Sequence, residues 1–372
     1  MYKIFSLIII LLFTNSVYSL TLNNDDDDDN KLKYSITGFT TLTIFSQNQF
    51  YDNTASVALN LDLTYNDYAV RTQFSVDNDI NRFNRFTIEK SIDIDTNKEL
   101  LIKLGRFPRL VSFYNNLTDS PGTYEVAMIP LGVYTRRLLK SQAFNAIDGV
   151  SILYTLTNPE INNKILKFYL NYGQVPLDNQ CIVQQEYRYD KCLSGYKFKS
   201  DIHDYDVGVS YEINNLTFIA SNTNIQFKTE LINPNDPVSN FLVKRTNRLI
   251  ANVTKLGFKY NREKYLLQGE YSYHNYSVNN SLQNTISIHK ENTSYILAEY
   301  RWQSNFSTNI QYSYGSSLYL GQYNDKSIGM TYILDNTTLS LEYHSGYGVE
   351  WKKYLATSPY WNSVVFTASY TF

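Results

Sequence analysis

From Leu32 onward, apolar and polar residues alternate with a period of two along most of the chain. Val57, Leu59, Leu61, Leu63 and Tyr65 alternate with Ser56, Ala58, Asn60, Asp62 and Thr64. After Asn66-Asp67, the residues Tyr68, Val70, Thr72, Phe74 and Val76 alternate with Ala69, Arg71, Gln73 and Ser75. Successive side chains of a strand point to opposite faces, so this stretch predicts a β-hairpin with one apolar and one polar face. The template recurs in Leu100, Ile102 and Leu104, in Leu166, Phe168, Leu170 and Tyr172, in Tyr205, Val207, Val209 and Tyr211, and in Leu339, Leu341 and Tyr343. Sixteen such segments can be counted, the first near residues 34–45 and the last at residues 364–372; those at 216–222 and 249–260 are the weakest.

The connections alternate in length. Short ones fall at residues 66–67, 95–98, 157–163, 214–215, 261–264, 303–305 and 334–336. Long ones are centred on 46–54, 77–84, 106–148, 174–203, 224–248, 274–293, 315–325 and 345–361. An up-and-down meander of sixteen strands with one trimmed rim and one elaborated rim produces this pattern. A soluble sandwich would also alternate, but a chain of this length would normally divide into domains at linkers, and none is visible. Tyr65, Tyr68, Tyr172, Tyr205 and Tyr314 lie near the ends of the apolar rows, as the two membrane–water interfaces favour. The presumed lipid-facing rows are nearly free of charge, with Lys90 the clear exception, near a strand end. Closing the sheet pairs every backbone group, which hydrocarbon requires. The expected fold is therefore all-β: a transmembrane antiparallel β-barrel of about sixteen strands, occupying residues 32–372.

Composition sharpens this picture. Of 372 residues, 15% are aromatic and 18% charged, and the net charge is −2. So many aromatics exclude disorder for most of the chain, and the near-neutral balance argues against a nucleic-acid partner. Lys3, the apolar stretch 4–13 and Val17-Tyr18-Ser19 read as a cleaved export leader, residues 1–19, too short to span a bilayer as a helix. Residues 20–31 contain five consecutive aspartates, Asp25 to Asp29, and read as a solvated acidic segment. Cys181 and Cys192 are expected to form a disulfide after export. With His203 alone nearby they make an incomplete zinc set, so neither metal nor cofactor is expected.

At the C-terminus, Val364, Phe366, Ala368, Tyr370 and Phe372 form one outward row ending in Phe. This resembles the signal by which the bacterial assembly machinery recognises outer-membrane barrels. Sixteen strands leave an aqueous lumen. The inward rows carry Arg71, Gln73, Arg85, Glu89, Lys103, Lys167, Gln268, Glu270, Glu299 and Arg301, a mixed-charge lining suited to hydrating solutes. The same residues could instead pair across neighbouring strands and hold the wall together.

The longest connection, 106–148, exceeds ordinary loop length and is expected to be functional. Gly105-Arg106, the segment 130–134 (Pro-Leu-Gly-Val-Tyr) and Asp148-Gly149 bracket it. These features resemble those of a family of Gram-negative outer-membrane porins, over roughly 50 residues in detail and elsewhere only in strand pattern. The Pro-Glu-Phe-Gly-Gly element of enteric general porins is missing, so their selectivity rules do not carry over. The resemblance implies that the loop folds inward to narrow the channel and that the protein is a homotrimer. Arg106, Arg109, Arg136, Arg137 and Lys140 outnumber Asp119, Glu125 and Asp148, giving a net positive constriction and a weak lean towards anions, unless these charges anchor the loop to the wall. Outer-membrane lipid and lipopolysaccharide are expected to surround the barrel.

An enzyme would need a converging catalytic set. The four histidines are His203, His274, His289 and His344. Neighbours such as His344 and Ser345 point to opposite faces of a strand, and His274 and His289 fall in or beside one long loop. No local catalytic signature emerges, and sequons such as Asn116-Leu117-Thr118 arise by chance in so Asn- and Thr-rich a chain. The expected function is passive diffusion of small hydrophilic solutes and ions. The alternatives are a substrate-specific channel and a plugged adhesin or receptor barrel.

Overall fold

A computed structural model describes residues 32–46, 54–77, 80–109, 112–113, 146–158, 164–174, 196–200, 204–231, 248–280, 285–317, 321–348 and 360–372. The leader at 1–19, the acidic segment 20–31, Cys181, Cys192, Asp119, Glu125, Arg136, Arg137 and Lys140 lie outside the described residues. The strands are β1 (Lys33–Phe45), β2 (Thr54–Tyr65), β3 (Tyr68–Asp77), β4 (Ile80–Asp95), β5 (Lys98–Pro108) and β6 (Ala146–Asn158). They continue with β7 (Lys164–Gln174), β8 (Tyr196–Ser200), β9 (Asp204–Ile213), β10 (Leu216–Leu231), β11 (Arg248–Arg262) and β12 (Tyr265–Asn280). The last five are β13 (Thr285–Gln303), β14 (Phe306–Ser317), β15 (Gly321–Leu334), β16 (Thr337–Tyr347) and β17 (Tyr360–Thr371).

Every pairing is antiparallel, and all join chain neighbours except β7 with β9, β8 with β10 and β1 with β17. β8 lies on the upper end of β10, Ser200 opposite Phe227, in line with β9, where Tyr205 faces Asn224. Together β8 and β9 fill one position in the wall, so seventeen segments make a closed barrel of sixteen strands. Closure is made by β1 and β17, with Thr40 opposite Tyr370 and Ile44 opposite Phe366.

Local chemistry explains the turns. Asn66, Asn214 and Asp335, each opening a two-residue turn, have φ of 50°, 52° and 48°. Tight hairpins favour this left-handed region, and Asn and Asp enter it more readily than most side chains. The short turns share one rim with Lys33 and Phe372.

Several long connections are shorter than the sequence pattern suggested. β3 and β4 are separated by residues 78–79, β12 and β13 by 281–284, and β14 and β15 by 318–320. The two weak segments are long strands, β10 and β11, of 16 and 15 residues. The apolar rows stop inside these strands, while backbone pairing continues into stretches polar on the outer face as well, where period two loses its contrast.

The barrel is inverted relative to a soluble protein. Leu59, Phe74, Ile88, Leu104, Ile152, Leu170, Val207, Ile310, Ile328 and Leu341 are exposed on the outer face, while Glu89, Asn171, Asp206, Gln268, Glu270 and Asp325 are buried on the inner one. Near the short-turn rim, Tyr265 packs on Tyr300 (5.2 Å) and Tyr300 on Trp302 (4.6 Å). Lys90 faces outward near that rim, donating to Tyr68 Oη at 2.9 Å, with its ammonium 4.8 Å from the ring centre. It is not alone, as the sequence pattern had implied: Arg106, Lys290 and Lys326 also face outward. They sit towards the long-loop ends of their strands, where a lipid-facing cation costs only about 0–1 kcal/mol.

The seam is tight. Gly38 N–H donates to the Phe372 carbonyl at 2.8 Å, and Phe372 N–H returns to Gly38 at 2.9 Å. A Cβ on Gly38 would lie 2.5 Å from the Phe372 ring and 2.7 Å from the Ala58 carbonyl oxygen. Gly38→Val is therefore expected to strain the closing strands by about 1–3 kcal/mol. The measurable outcome is a smaller heat-modifiable fraction on electrophoresis of the refolded protein, with Thr37→Val as the control at a neighbouring inward position.

Candidate functional site: the inner wall and the root of the long loop

Inward positions on β2 to β5 converge on one carboxylate. Glu89 is buried and accepts from Arg71 Nε at 3.2 Å, Arg85 Nη2 at 2.8 Å and Thr87 Oγ1 at 2.8 Å. Lys103 Nζ lies 3.7 Å away, and Arg71 also bonds Asp62 at 3.1 Å. Three cations around two carboxylates leave this part of the wall net positive. On other strands, Lys167 pairs with Glu212 at 2.8 Å and Arg301 with Glu299 at 2.8 Å. The predicted lining residues thus do face inward, and most are knitted to neighbours across the ladder.

The opposite polarity gathers on β15 and β16. His344 Nδ1 is 2.9 Å from Asp325 and its Nε2 is 3.0 Å from Glu342. Both ring nitrogens are thus engaged, and two acidic side chains face one imidazole, which leaves this part of the wall acidic. His274, expected in or beside a loop, instead lies in β12, buried on the inner wall beside Tyr276, whose hydroxyl is 3.1 Å from its Nδ1. The reason is the extension of β12 through Asn280.

The root of the long loop is the most informative feature. Below it, Gly105, Gly149 and Gly173 are register partners on β5, β6 and β7. Gly105 has φ 117°, and a Cβ there would meet the Phe86 carbonyl at 2.2 Å. This glycine row clears side chains from the inner wall just below the point where the chain leaves it. Beyond β5, Arg109 is fully buried: its Nε donates to the Ala146 carbonyl at 3.1 Å and its Nη1 to Asp206 at 2.5 Å, with Asp204 3.8 Å away. Ser112 Oγ then reaches Glu270 at 2.7 and 2.9 Å, and Phe113 N–H donates to the same carboxylate at 2.9 Å. Between β5 and β12 lie β6, β7, β9, β10 and β11. A chain that leaves β5 and touches inward side chains of β9 and then β12 within four residues runs through the barrel interior. Tyr295 completes the anchor, donating to Glu270 at 3.1 Å and accepting from Gln268 at 2.6 Å.

Two predicted constriction residues therefore have specific places. Arg109 anchors the loop root to the inner wall. Arg106 does not line the lumen: it shares a face with outward Leu104 and stands opposite Phe86 and Asp148. There it binds Asp148 through two hydrogen bonds, at 2.6 and 2.8 Å. Asp204, Asp206, Ser112 and Tyr295 were not singled out as site residues from sequence. The inward parity of Asp204 and Asp206, flanking outward Tyr205, was the available signal.

No protein-family profile matches the sequence, and no curated protein sequence does. Solved structures match in fold. In-vitro folded OmpT, an outer membrane protein of Vibrio cholerae, matches with a TM-score of 0.59 and 13% identity, over 95% of this chain and 100% of that one; a trimer form of OmpT matches at 0.55. The outer membrane channel DcaP of Acinetobacter baumannii gives 0.57 and 12% identity, over 92% and 97% of the two chains. An anion-selective porin from Comamonas acidovorans gives 0.55 and 13% identity, over 92% and 100%. What is shared at these identities is the fold. The chain has the architecture of a bacterial outer-membrane porin barrel.

Removing one member of a buried ion pair strands the other. Arg109→Ala and Asp206→Ala are each expected to lower unfolding free energy by about 3–5 kcal/mol, and the double variant by clearly less than the sum. Urea titration of the refolded barrel in lipid, followed by tryptophan fluorescence, measures this coupling; strict additivity would count against the pair.

Proposed function

We propose that this chain is an outer-membrane porin, a water-filled channel for passive diffusion of small hydrophilic solutes and ions, narrowed by the segment 106–148. The observation that carries the reading is the loop root: Arg109, Ser112 and Phe113 cross from β5 to β9 and β12 inside the barrel. A sixteen-stranded wall is wide enough to hold water, and its lining is polar and of both signs. On this reading the protein conducts rather than catalyses. It is exported by the leader at 1–19, assembled through the C-terminal row ending in Phe372, stapled by Cys181 and Cys192 in an outer loop, and associated as a homotrimer. The trimer form among the matched structures is consistent with the last point.

Selectivity rests on fewer loop charges than the sequence count implied. Arg106 faces outward and Arg109 is compensated by Asp206, which leaves Arg136, Arg137 and Lys140 against Asp119 and Glu125. A weak anion preference then depends on these and on the Glu89-centred cluster. A solute-specific channel is the second reading. It is favoured by adjoining inward side chains on β14 and β15 whose buried polar atoms lack partners: both amide atoms of Gln311, Ser313 Oγ, Asp325 Oδ1 and Ser327 Oγ.

Planar-bilayer recording of the refolded mature chain tests these readings. Ohmic steps are expected, grouped in threes, with a small anion-directed reversal potential in a salt gradient. Glu270→Ala, which releases Ser112 and Phe113, should raise conductance or open-channel noise, and Glu270→Gln should restore most of the wild-type trace. Silence from a heat-modifiable barrel would reject the pore in favour of a plugged barrel. Block by one solute class at low concentration would favour the specific channel.

A further inference from the structure

Four inward positions on β14 and β15 form a rectangle on the inner wall. Gln311 and Ser327 are register partners, as are Ser313 and Asp325, and the two pairs lie two residues apart along each strand. Neighbouring strands lie about 4.8 Å apart, and successive inward positions on one strand about 6.8 Å apart. The corners therefore bound an area of the size of one pyranose ring. All four side chains are more than nine-tenths buried. Among the described residues, both amide atoms of Gln311, the hydroxyls of Ser313 and Ser327, and Asp325 Oδ1 have no hydrogen-bond partner. Each unmatched buried polar group costs stability, and such groups are ordinarily few and scattered. Here they occupy every corner of one patch.

The surroundings of the patch are fixed. His344 lies 2.9 Å from Asp325 Oδ2, which leaves Oδ1 as the open acceptor. The Tyr323 ring lies over Gly315, the next inward position beyond Ser313, and its hydroxyl donates to Glu291 at 3.1 Å. The Trp361 ring lies over Gly346, the register partner of Asp325 on β16, and donates to the Gly348 carbonyl at 3.2 Å. On the other side Tyr295 is the register partner of Ser313 and donates to Glu270, the carboxylate that holds the loop root. The patch thus adjoins the place where the chain crosses the barrel interior.

The kinds of atom on the patch select among solutes. A phosphate or carboxylate would meet Asp325 and, beside it, Glu342. An ammonium group only donates, and would leave the Gln311 amide N–H groups without an acceptor. A hydroxyl both donates and accepts. The hydroxyls of one uncharged sugar match the carboxamide, the two serines and the carboxylate oxygen together.

We propose that Gln311, Ser313, Asp325 and Ser327 form a subsite for the hydroxyl groups of a neutral saccharide. The inference rests on the channel reading and names the solute class of its solute-specific form.

The test titrates the refolded mature chain in nanodiscs with glucose, glucosamine and glucuronate by isothermal titration calorimetry, with planar-bilayer recording in parallel. Glucose is expected to bind more tightly than either charged pyranose and to block the open channel. Gln311→Leu/Ser327→Ala should weaken glucose binding about twenty- to thirtyfold, from roughly fivefold per hydrogen-bonding side chain removed. Heat-modifiable mobility should be unchanged, because the atoms removed have no partner in the wall. Ser151→Ala, an inward change on β6, should bind glucose as the wild type does. Absence of glucose binding, or equal binding by the wild type and the folded double variant, overturns the proposal. So does tighter binding of glucuronate, or tighter binding of glucosamine that Asp325→Asn abolishes, which would make the patch a cation site. Calorimetry needs no current, so a silent recording rejects the pore and leaves the subsite to be decided by the titration.

Discussion

Hydrocarbon offers no hydrogen bonds, so a backbone that crosses it must pair every N–H and C=O with itself. That constraint shapes this structure more than any side chain does. It forces the sheet to close, and the closing ladder is β1 against β17, the most distant pairing in sequence. The Gly38–Phe372 exchange sits at the end of that ladder, where an unpaired terminus would leave open backbone groups beside lipid. Because closure satisfies the backbone, outward side chains need only be apolar. The contrast between the two faces of each strand follows from this, as does its reversal relative to a soluble sheet.

The same logic then applies inside. Inward side chains are largely polar, yet they are crowded and must satisfy one another. Glu89 collects two arginines, a lysine and a threonine; His344 bridges two carboxylates; Glu270 receives Ser112, the Phe113 amide and Tyr295. All three hydrogen bonds to Glu89 come from β4 itself or the adjoining β3, and its lysine comes from the adjoining β5, so that cluster stiffens the wall locally. Glu270 instead binds a segment that has left the wall altogether. The loop root is therefore held by the same kind of interaction that stabilises the wall, directed across the interior.

This division explains what could be read from sequence. Period two, the short Asn- and Asp-opened turns and the inward parity of Arg71, Glu89 and Glu270 are local properties, and the structure follows them. Strand length on β10 to β13 was not legible, because the pattern fades once Asn252, Asn275 and Asn292 make the outer face polar too, while pairing continues unchanged. Arg106 went to the wrong face because it was counted as a loop charge; parity from Leu104 would have placed it. The partners of Arg109 and Ser112 lie 97 and 158 residues away in Asp206 and Glu270, and nothing near them in sequence announces that meeting.

The placement of charge bears on how such a barrel could select among ions. A charge paired at close range across a ladder contributes little field at the centre of the lumen, since the two signs cancel over a few ångströms. Lys167 of β7 with Glu212 of β9 is of this kind, and Arg301 with Glu299, two residues apart on β13, cancels in the same way. What survives is the imbalance within each cluster: net positive where Arg71, Arg85 and Lys103 meet Glu89 and Asp62, acidic where Asp325 and Glu342 meet His344. The first lies on β2 to β5 and the second on β15 and β16, with β17 and β1 intervening. The wall therefore carries separated poles of its own. The loop's two described arginines are already compensated, one on the outer face and one against Asp206, so the imbalance of the wall stands beside Arg136, Arg137 and Lys140 as a source of any preference for one sign of ion.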